Sequence, residues 1–447
     1  MKKFLAILIS KLIRAIGAAM KRGSSLPGKT ALRIEPDILR KIQYPKEIIV
    51  VTGTTGKTST AQMISEIFRA AGKKVSTNPE GANLLWGATT AILNGVTLTG
   101  KSKVDAYILE IDERYIKRAF KFFTPTKFCI TNIARDQLAR NGHYELVLNE
   151  IVSSIKDDSE LFLNFDSSKM QGVALKHGGS VVSYGIGRHN GVREASPNAY
   201  LDEVYCPKCH TRLNYDFYHY GEFGSYTCPE CGFKRGPVDY EVSEVNLREK
   251  YFVINGQTKI KLPNDVFYNI YNEALAYAVC KECGIDEKII VRCLESFKQA
   301  SQRYRKFDFE GRPVYIMTTK NETPLSYNTS IDNIVSAGGR KVAVFGFEEI
   351  GRHYSMRDLS WLWDVNFERL KEADLSYIVL TGPFASQLKA RLVHAGLDPQ
   401  KMIVEKDTMK SPEAFRKTGR DPIYAALYFD SEEKLAEILG KEIHNEN

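Results

Sequence analysis

The sequence predicts an α/β protein: a central doubly wound domain on a parallel sheet with a cysteine-rich insertion, then a second, Rossmann-like α/β domain. Three observations predict this. Short β-branched runs alternate with helix-length segments over 46–187, the pattern of a parallel sheet covered on both faces. A tract without helical period, rich in Tyr, Gly, Cys and Pro, interrupts that pattern at 188–247. Strand–helix alternation then resumes beyond 313.

Length and composition bound the answer. A chain of 447 residues, at roughly 150 per domain, has room for two to four domains. A hydrophobic fraction of 43% and a charged fraction of 26% are ordinary for a globular protein and exclude a disordered chain, a collagen-like repeat and a multi-span membrane protein. Lys plus Arg number 62 against 54 Asp plus Glu, a net +8; that surplus allows anionic partners but demands none. Eight cysteines in a chain this long do not form a disulfide scaffold, and the pairing of four of them favours a reducing compartment.

The elements are taken in chain order. Residues 1–45 form an N-terminal amphipathic helix and arm. The apolar run 4–9 is short, and Lys11 and Arg14 break the apolar character beyond it. It fits neither a secretory leader nor a membrane span. Leu5, Ile7, Leu8, Leu12, Ile13, Ile16 and Met20 stand against Lys2, Lys3, Lys11, Arg14, Lys21 and Arg22. Such a helix either packs on its own domain or lies at an anionic membrane surface.

Residues 46–303 make the central domain, with strands at IIVVTG (48–53), KKVSTN (73–78), DAYILEID (105–112), KFCITN (127–132), ELFLNFD (160–166) and SVVSYG (180–185). Helical periodicity returns at 266–283 and 288–298. A basic link, QRYRKFDFEGRP (302–313), leads into the C-terminal domain, 304–447, and is expected to act as a hinge at 303–311. VYIMTT, KVAVFGF, SYIVLTG, MIVEK and PIYAALYF are its strands.

The strongest chemical signal is VTGTTGKT (51–58), which follows an apolar strand and opens a helix, the setting of a phosphate-binding loop. Gly53 and Gly56 let the backbone approach phosphate oxygens while the helix N-terminus favours negative charge. Thr54 and Thr55 lie between them, Lys57 can reach terminal phosphates, and the Thr58 hydroxyl can ligate Mg²⁺. The general pattern would put Gly at position 51, where Val stands. This loop predicts ATP, or a close relative, as ligand. Glu110, Asp112 and Glu113 close a predicted strand, and period two places Glu110 and Asp112 on one face, suited to Mg²⁺. TNIARDQ (131–137) closes another strand.

Cys206-Pro-Lys-Cys209 and Cys228-Pro-Glu-Cys231 are separated by 18 residues. Two such pairs predict a tetrahedral, structural Zn²⁺ site in a ribbon over about 201–240. Cys280 and Cys283 sit in a helical stretch without a second pair and are read as core. Cys129 and Cys293 have no case as ligands.

TGTTGKT (52–58), LEIDE (109–113), TNIARDQ (131–137) and Asn269-Ile-Tyr-Asn272 occur in the order found in the Mur ligase superfamily, which the chain resembles. The resemblance implies that Lys57 and Thr58 hold ATP and Mg²⁺, that Glu110 ligates metal, that Asn272 lies near the adenine and that Arg303 contacts nucleotide phosphate. Asp136-Gln137 stands where the superfamily has Asp-His, and there is no counterpart of the carbamylated Lys of the amino-acid-adding ligases. A zinc ribbon inside such a domain, with SLPGK (25–29), PDIL (36–39) and DLSWLWD (358–364), narrows the resemblance to the MurT family.

That resemblance implies a cytoplasmic ligase subunit at the inner face of the membrane, paired with a GatD-like glutamine amidotransferase and acting on lipid II. It would activate the α-carboxylate of D-isoglutamate in the stem peptide for amidation, with Asp358 completing the partner's Cys–His pair. Asp358 also suits a helix cap before SWLWD. The segment 347–357 is longer than the family's Asp/Asn-rich stretch, and Lys320-Asn-Glu-Thr-Pro324 replaces Lys-Asn-Pro. Two rivals stand beside this reading. One is an amino-acid ligase acting on a soluble nucleotide- or folate-linked acid. The other is a zinc-ribbon NTPase on nucleic acid, opposed by the ribbon's Asp216, Glu222, Glu230 and Asp239 and the lack of a continuous basic stripe; no nucleic-acid partner is expected.

Overall fold

The computed structural model describes residues 1–19, 25–78, 81–135, 143–195, 201–263, 267–297, 304–319, 323–347 and 359–440. They fall into two compact units, Met1–Ala134 with His143–Ser196 and Asp202–Lys298, and Arg135–Gly142 with Pro197–Leu201 and Gln299–Asn447.

The first unit opens with helices α1 (Lys2–Ala19) and α2 (Leu26–Ile34). The doubly wound part comes next: β1 (Glu47–Thr52), α3 (Lys57–Ala70), β2 (Val75–Thr77), α4 (Leu85–Asn94), β3 (Ala106–Glu110), α5 (Ile116–Ala119), β4 (Lys127–Ile130), α6 (Tyr144–Val152), β5 (Glu160–Asn164), α7 (Ser168–Ala174) and β6 (Val181–Ile186). After the hairpin β7 (Asn214–Tyr220) and β8 (Phe223–Thr227) come β9 (Tyr240–Asn246), β10 (Tyr251–Ile254), β11 (Thr258–Lys261), α8 (Tyr268–Glu282) and α9 (Glu287–Ser296).

Nine strands of the described residues form one sheet, in the order β11-β10-β9-β6-β5-β4-β1-β3-β2. Pairing is parallel from β2 to β9 and antiparallel across β9, β10 and β11. Alternation along β1 shows why both faces are covered. Ile49 and Val51 pack with Ile64 and Ile67 of α3 and the apolar side of α8, whereas Ile48 and Val50 join Ala88 and Ile92 of α4. Each such buried aliphatic side chain contributes about 1.5–3 kcal/mol.

All six strands expected in 46–187 are present. Two sequence expectations need correction. Residues 240–247, assigned to the insertion, belong to the main sheet, because β9 pairs in parallel with β6 through Tyr184 and Tyr240. The link read as a hinge at 303–311 is largely strand: β12 (Tyr304–Phe309) pairs antiparallel with β13 (Arg312–Thr319), and Phe307 and Phe309 are buried.

The second unit contains β12, β13, α10 (Pro324–Ser336), β14 (Lys341–Gly346), β15 (Leu375–Thr381), α11 (Ala385–His394), β16 (Met402–Glu405), α12 (Ser411–Arg416), β17 (Ile423–Tyr428) and α13 (Phe429–Leu439). Its strand order is β12-β13-β17-β14-β15-β16, parallel except for β12 with β13. SWLWD forms a short 3-10 turn whose Trp361 is buried against the rings of Tyr327 and Phe347, 5.1 and 5.2 Å away.

Candidate functional site

The loop between β1 and α3 has the backbone that its glycines were expected to permit. Gly53 (φ 135) and Gly56 (φ 84) both occupy the positive-φ region, where a side chain is disfavoured. Space enforces the same choice. A Cβ at Gly53 would lie 2.2 Å from Thr131 Oγ1, and one at Gly56 would lie 2.2 Å from Asn272 Oδ1.

The segment after β4 clamps this loop. Thr54 N donates to Asn132 O (2.8 Å) and Thr55 N to Asn132 Oδ1 (3.2 Å). The Thr131 hydroxyl donates to Thr55 O (2.6 Å), and Ala134 N donates to the Thr54 hydroxyl (3.0 Å). The TNIA part of TNIARDQ thus shapes the loop; Asp136 and Gln137 lie outside the described residues.

Lys57 begins α3. Its ammonium donates to Gly53 O and Thr54 O and pairs with Glu113 Oε2 at 3.1 Å, both side chains being largely buried. Thr58 Oγ1 donates to Glu110 Oε2 at 2.8 Å. Glu110, the last residue of β3, is steered by two asparagines that spacing had not singled out. Asn78 Oδ1 accepts from Glu110 N (3.0 Å) while its amide donates to Glu110 O (2.8 Å), and Asn83 Nδ2 donates to Glu110 Oε1 (3.3 Å).

Asp112 does not share this face. The strand ends at Glu110, so period two does not extend to Asp112, which binds Arg114 at 2.9 and 2.7 Å. Burial pushes the Asp112 carboxyl up, but the hydrogen bonds and charge of Arg114, with the charge of Lys57, together hold it below its ordinary range. Glu113, not Asp112, meets the loop lysine. A small cleft lined by Thr58, Gln62, Ser65, Glu66, Asn78 and Glu110 opens beside the hydroxyl–carboxylate pair.

Gly53, Thr54, Thr55, Gly56, Lys57, Thr58, Glu110 and Asn272 are therefore brought together. Asn272, on α8, is buried, and its Nδ2 finds no hydrogen-bond partner among the described residues. Arg303 and Asp358 lie outside the described residues.

The four ribbon cysteines also converge. Their Sγ atoms all lie within 4.8 Å of one another, with Cys206–Cys231 at 3.5 Å and Cys209–Cys228 at 3.4 Å. Tetrahedral Zn²⁺ with bonds of about 2.3 Å requires sulfurs about 3.8 Å apart, so the cluster fits a four-thiolate metal. Each C-P-x-C turn is closed by a residue at positive φ, His210 (61) and Gly232 (67). Leu213, Tyr226 and Phe233 form the ribbon's small core with Cys206 and Cys228. Cys280, read as core, is buried on α8, while Cys283 is half-buried and Cys129 is buried in the sheet.

Residues 51–222 match the Mur ligase middle domain, and residues 319–428 match the MurT ligase C-terminal domain. The chain is 33% identical over 416 residues, 92% of each chain, to the lipid II isoglutaminyl synthase (glutamine-hydrolyzing) subunit MurT of Staphylococcus aureus strain COL. It is 30% identical over 412 residues to the same-named subunit of Streptococcus pneumoniae strain ATCC BAA-255 / R6, covering 90% of this chain and 89% of that one. In fold it resembles a pseudomurein peptide ligase type C from Methanothermus fervidus, with a TM-score of 0.67 at 21% identity, over 90% of this chain and 80% of that one. Fold and loop together define a Mur-ligase-type enzyme. Within that class, the chain belongs to the MurT family.

Proposed function

We propose that this chain is the ATP-dependent subunit of a glutamine-hydrolysing amide ligase. It activates the α-carboxylate of D-isoglutamate in the lipid II stem peptide, and ammonia from a GatD-like glutaminase partner converts that group to the amide of D-isoglutamine. The observation that carries this reading is the loop 53–58, with Lys57 and Thr58 set against Glu113 and Glu110 in a chain of the MurT family.

The chemistry explains why a phosphate loop is needed. A carboxylate resists ammonia because its leaving group would be oxide. ATP supplies a phosphoryl group that forms a bond to the carboxylate oxygen as the bond to ADP breaks. Ammonia then forms the carbon–nitrogen bond, inorganic phosphate leaves, and ammonia's surplus proton passes to solvent. Glutamine plus water supplies the ammonia and leaves glutamate.

The residues present suit their parts. Gly53 and Gly56 at positive φ give the loop the tight backbone path of a phosphate cradle, with amides and the N-terminus of α3 favouring anionic oxygens. Lys57 offsets charge on the transferring group, with Glu113 and the loop carbonyls holding its ammonium beforehand. Thr58 and Glu110 offer the hydroxyl and carboxylate oxygens that Mg²⁺ favours, and Mg²⁺ would spread phosphoryl charge. The unpartnered amide of Asn272 suits a base-edge acceptor such as that of adenine. Cys206, Cys209, Cys228 and Cys231 would hold Zn²⁺ with every position filled by protein, which stabilises the ribbon and leaves no site for catalysis. Asp358 and Arg303 keep the roles that the family resemblance implies: completing the partner's Cys–His pair, and contacting nucleotide phosphate.

The test is reconstitution with the glutaminase partner. Lipid II should change in mass from carboxyl to carboxamide only when ATP and glutamine are both supplied. Asp358→Asn should lose glutaminase activity with ATP hydrolysis intact. Release of no inorganic phosphate by the complete mixture would overturn the reading.

A further inference from the structure

Helix α1 packs with the wrong side for an ordinary amphipathic helix. Its inward face, against α2 and α4, is narrow and mostly small: Ala6, Ile7 and Ser10 are buried. Its outward face is the more apolar one. Phe4, Leu5, Leu12 and Ile16 are 48%, 45%, 54% and 63% exposed. At 3.6 residues per turn they lie with Leu8 in one stripe, covering about a third of the circumference, that contains no charged residue. Exposed Lys2 and half-buried Lys11 flank the stripe on opposite sides, and α1 has no acidic residue.

From this we infer that α1 is an in-plane membrane anchor, laying its Phe4–Leu5–Leu12–Ile16 stripe among the acyl chains of an anionic leaflet. Charge complementarity selects that occupant. Two copies of α1 meeting stripe to stripe would bring their basic flanks together without a counter-charge, whereas anionic headgroups neutralise both flanks. Length agrees with lying in the plane: none of the described helices is long and apolar enough to cross a membrane. The inference stands on α1 alone. It would bring the proposed site to a lipid-linked substrate, and its test uses vesicles that contain no such substrate.

The full chain should co-sediment with vesicles of phosphatidylglycerol and phosphatidylcholine and release as salt rises. Leu5→Glu with Leu12→Glu should weaken partitioning at least about tenfold, and Lys2→Gln by about fivefold. Unchanged melting of both variants shows that the fold is intact, since these side chains point to solvent. Failure of the unaltered chain to bind anionic vesicles would overturn the inference. So would binding that the two glutamates leave unchanged. A concentration-dependent dimer that these glutamates convert to monomer, without vesicle binding, would assign the stripe to a second copy instead.

Discussion

Gly56→Ala tests the loop geometry most directly. The substitution carries two separate costs. A side chain at φ 84 costs about 1–2 kcal/mol. The new methyl would also stand 2.2 Å from Asn272 Oδ1, more than 1 Å inside ordinary contact, and forcing a packed side chain aside costs about 1–3 kcal/mol. The sum is roughly 2–5 kcal/mol, a fall of several degrees in the melting of the first unit. Asn272→Ala separates the terms. It removes the obstruction but leaves the backbone strain, so the double variant should be about 1–3 kcal/mol more stable than the two single effects predict when added. Denaturant titration of the four proteins measures this coupling. Additivity within about 0.5 kcal/mol would refute the seating of Asn272 on Gly56.

Four further outcomes rest on the same geometry. Lys57→Ala should abolish ATP turnover, and near-normal lipid II amidation by that variant would refute the loop assignment. Glu110→Gln should raise the Mg²⁺ concentration needed for half-maximal phosphate release by about 10–100-fold, read from a Mg²⁺ titration. Elemental analysis should find one zinc per chain, and Cys206→Ser should lose it together with several kcal/mol of stability in the first unit; an unchanged melt would remove the metal's structural role. Burial holds the Glu222 carboxyl up at about 8, although it accepts from Asp202 N and Glu203 N at 2.6 Å. Because the folded state holds this proton more tightly than the unfolded chain, the contribution is complete below about pH 4.5 and is lost as pH rises towards 8. Glu222→Gln should flatten that decline in a melting series from pH 5 to 8.

Legibility in the sequence depended on how local the determining physics was. Parallel strands buried on both faces stand out as apolar runs, so IIVVTG and DAYILEID were readable without tertiary knowledge. The loop and cysteine pairs were equally visible, because their chemistry depends on short spacings. β12 escaped because Arg305 and Lys306 made 302–313 look like a charged link, yet Phe307 and Phe309 already showed the period-two signal. Strands β9 to β11 were obscured because the ribbon precedes them and their antiparallel pairing departs from the alternation seen before. At the site, a one-residue strand boundary decided the outcome: ending β3 at Glu110 turns Asp112 toward Arg114 and gives Lys57 to Glu113. Nothing in the spacing of Asn78 and Asn83 connects them to Glu110. The same limit applies to α1, where the helical period shows two faces but not which one meets the protein.

The four-cysteine ribbon occupies an unusual station in the chain. β6 and β9 run side by side in the same direction, so the polypeptide must travel back along the sheet between them, a return journey that an α-helix normally makes. Here the returning segment includes the four-cysteine ribbon, moored by Tyr226 to Phe165 O and Gln171 and by Arg235 to Asp166. Loss of an ion held by these four cysteines would therefore loosen more than an appendage. It would slacken the span that delivers β9, and with it the β10–β11 border of the sheet.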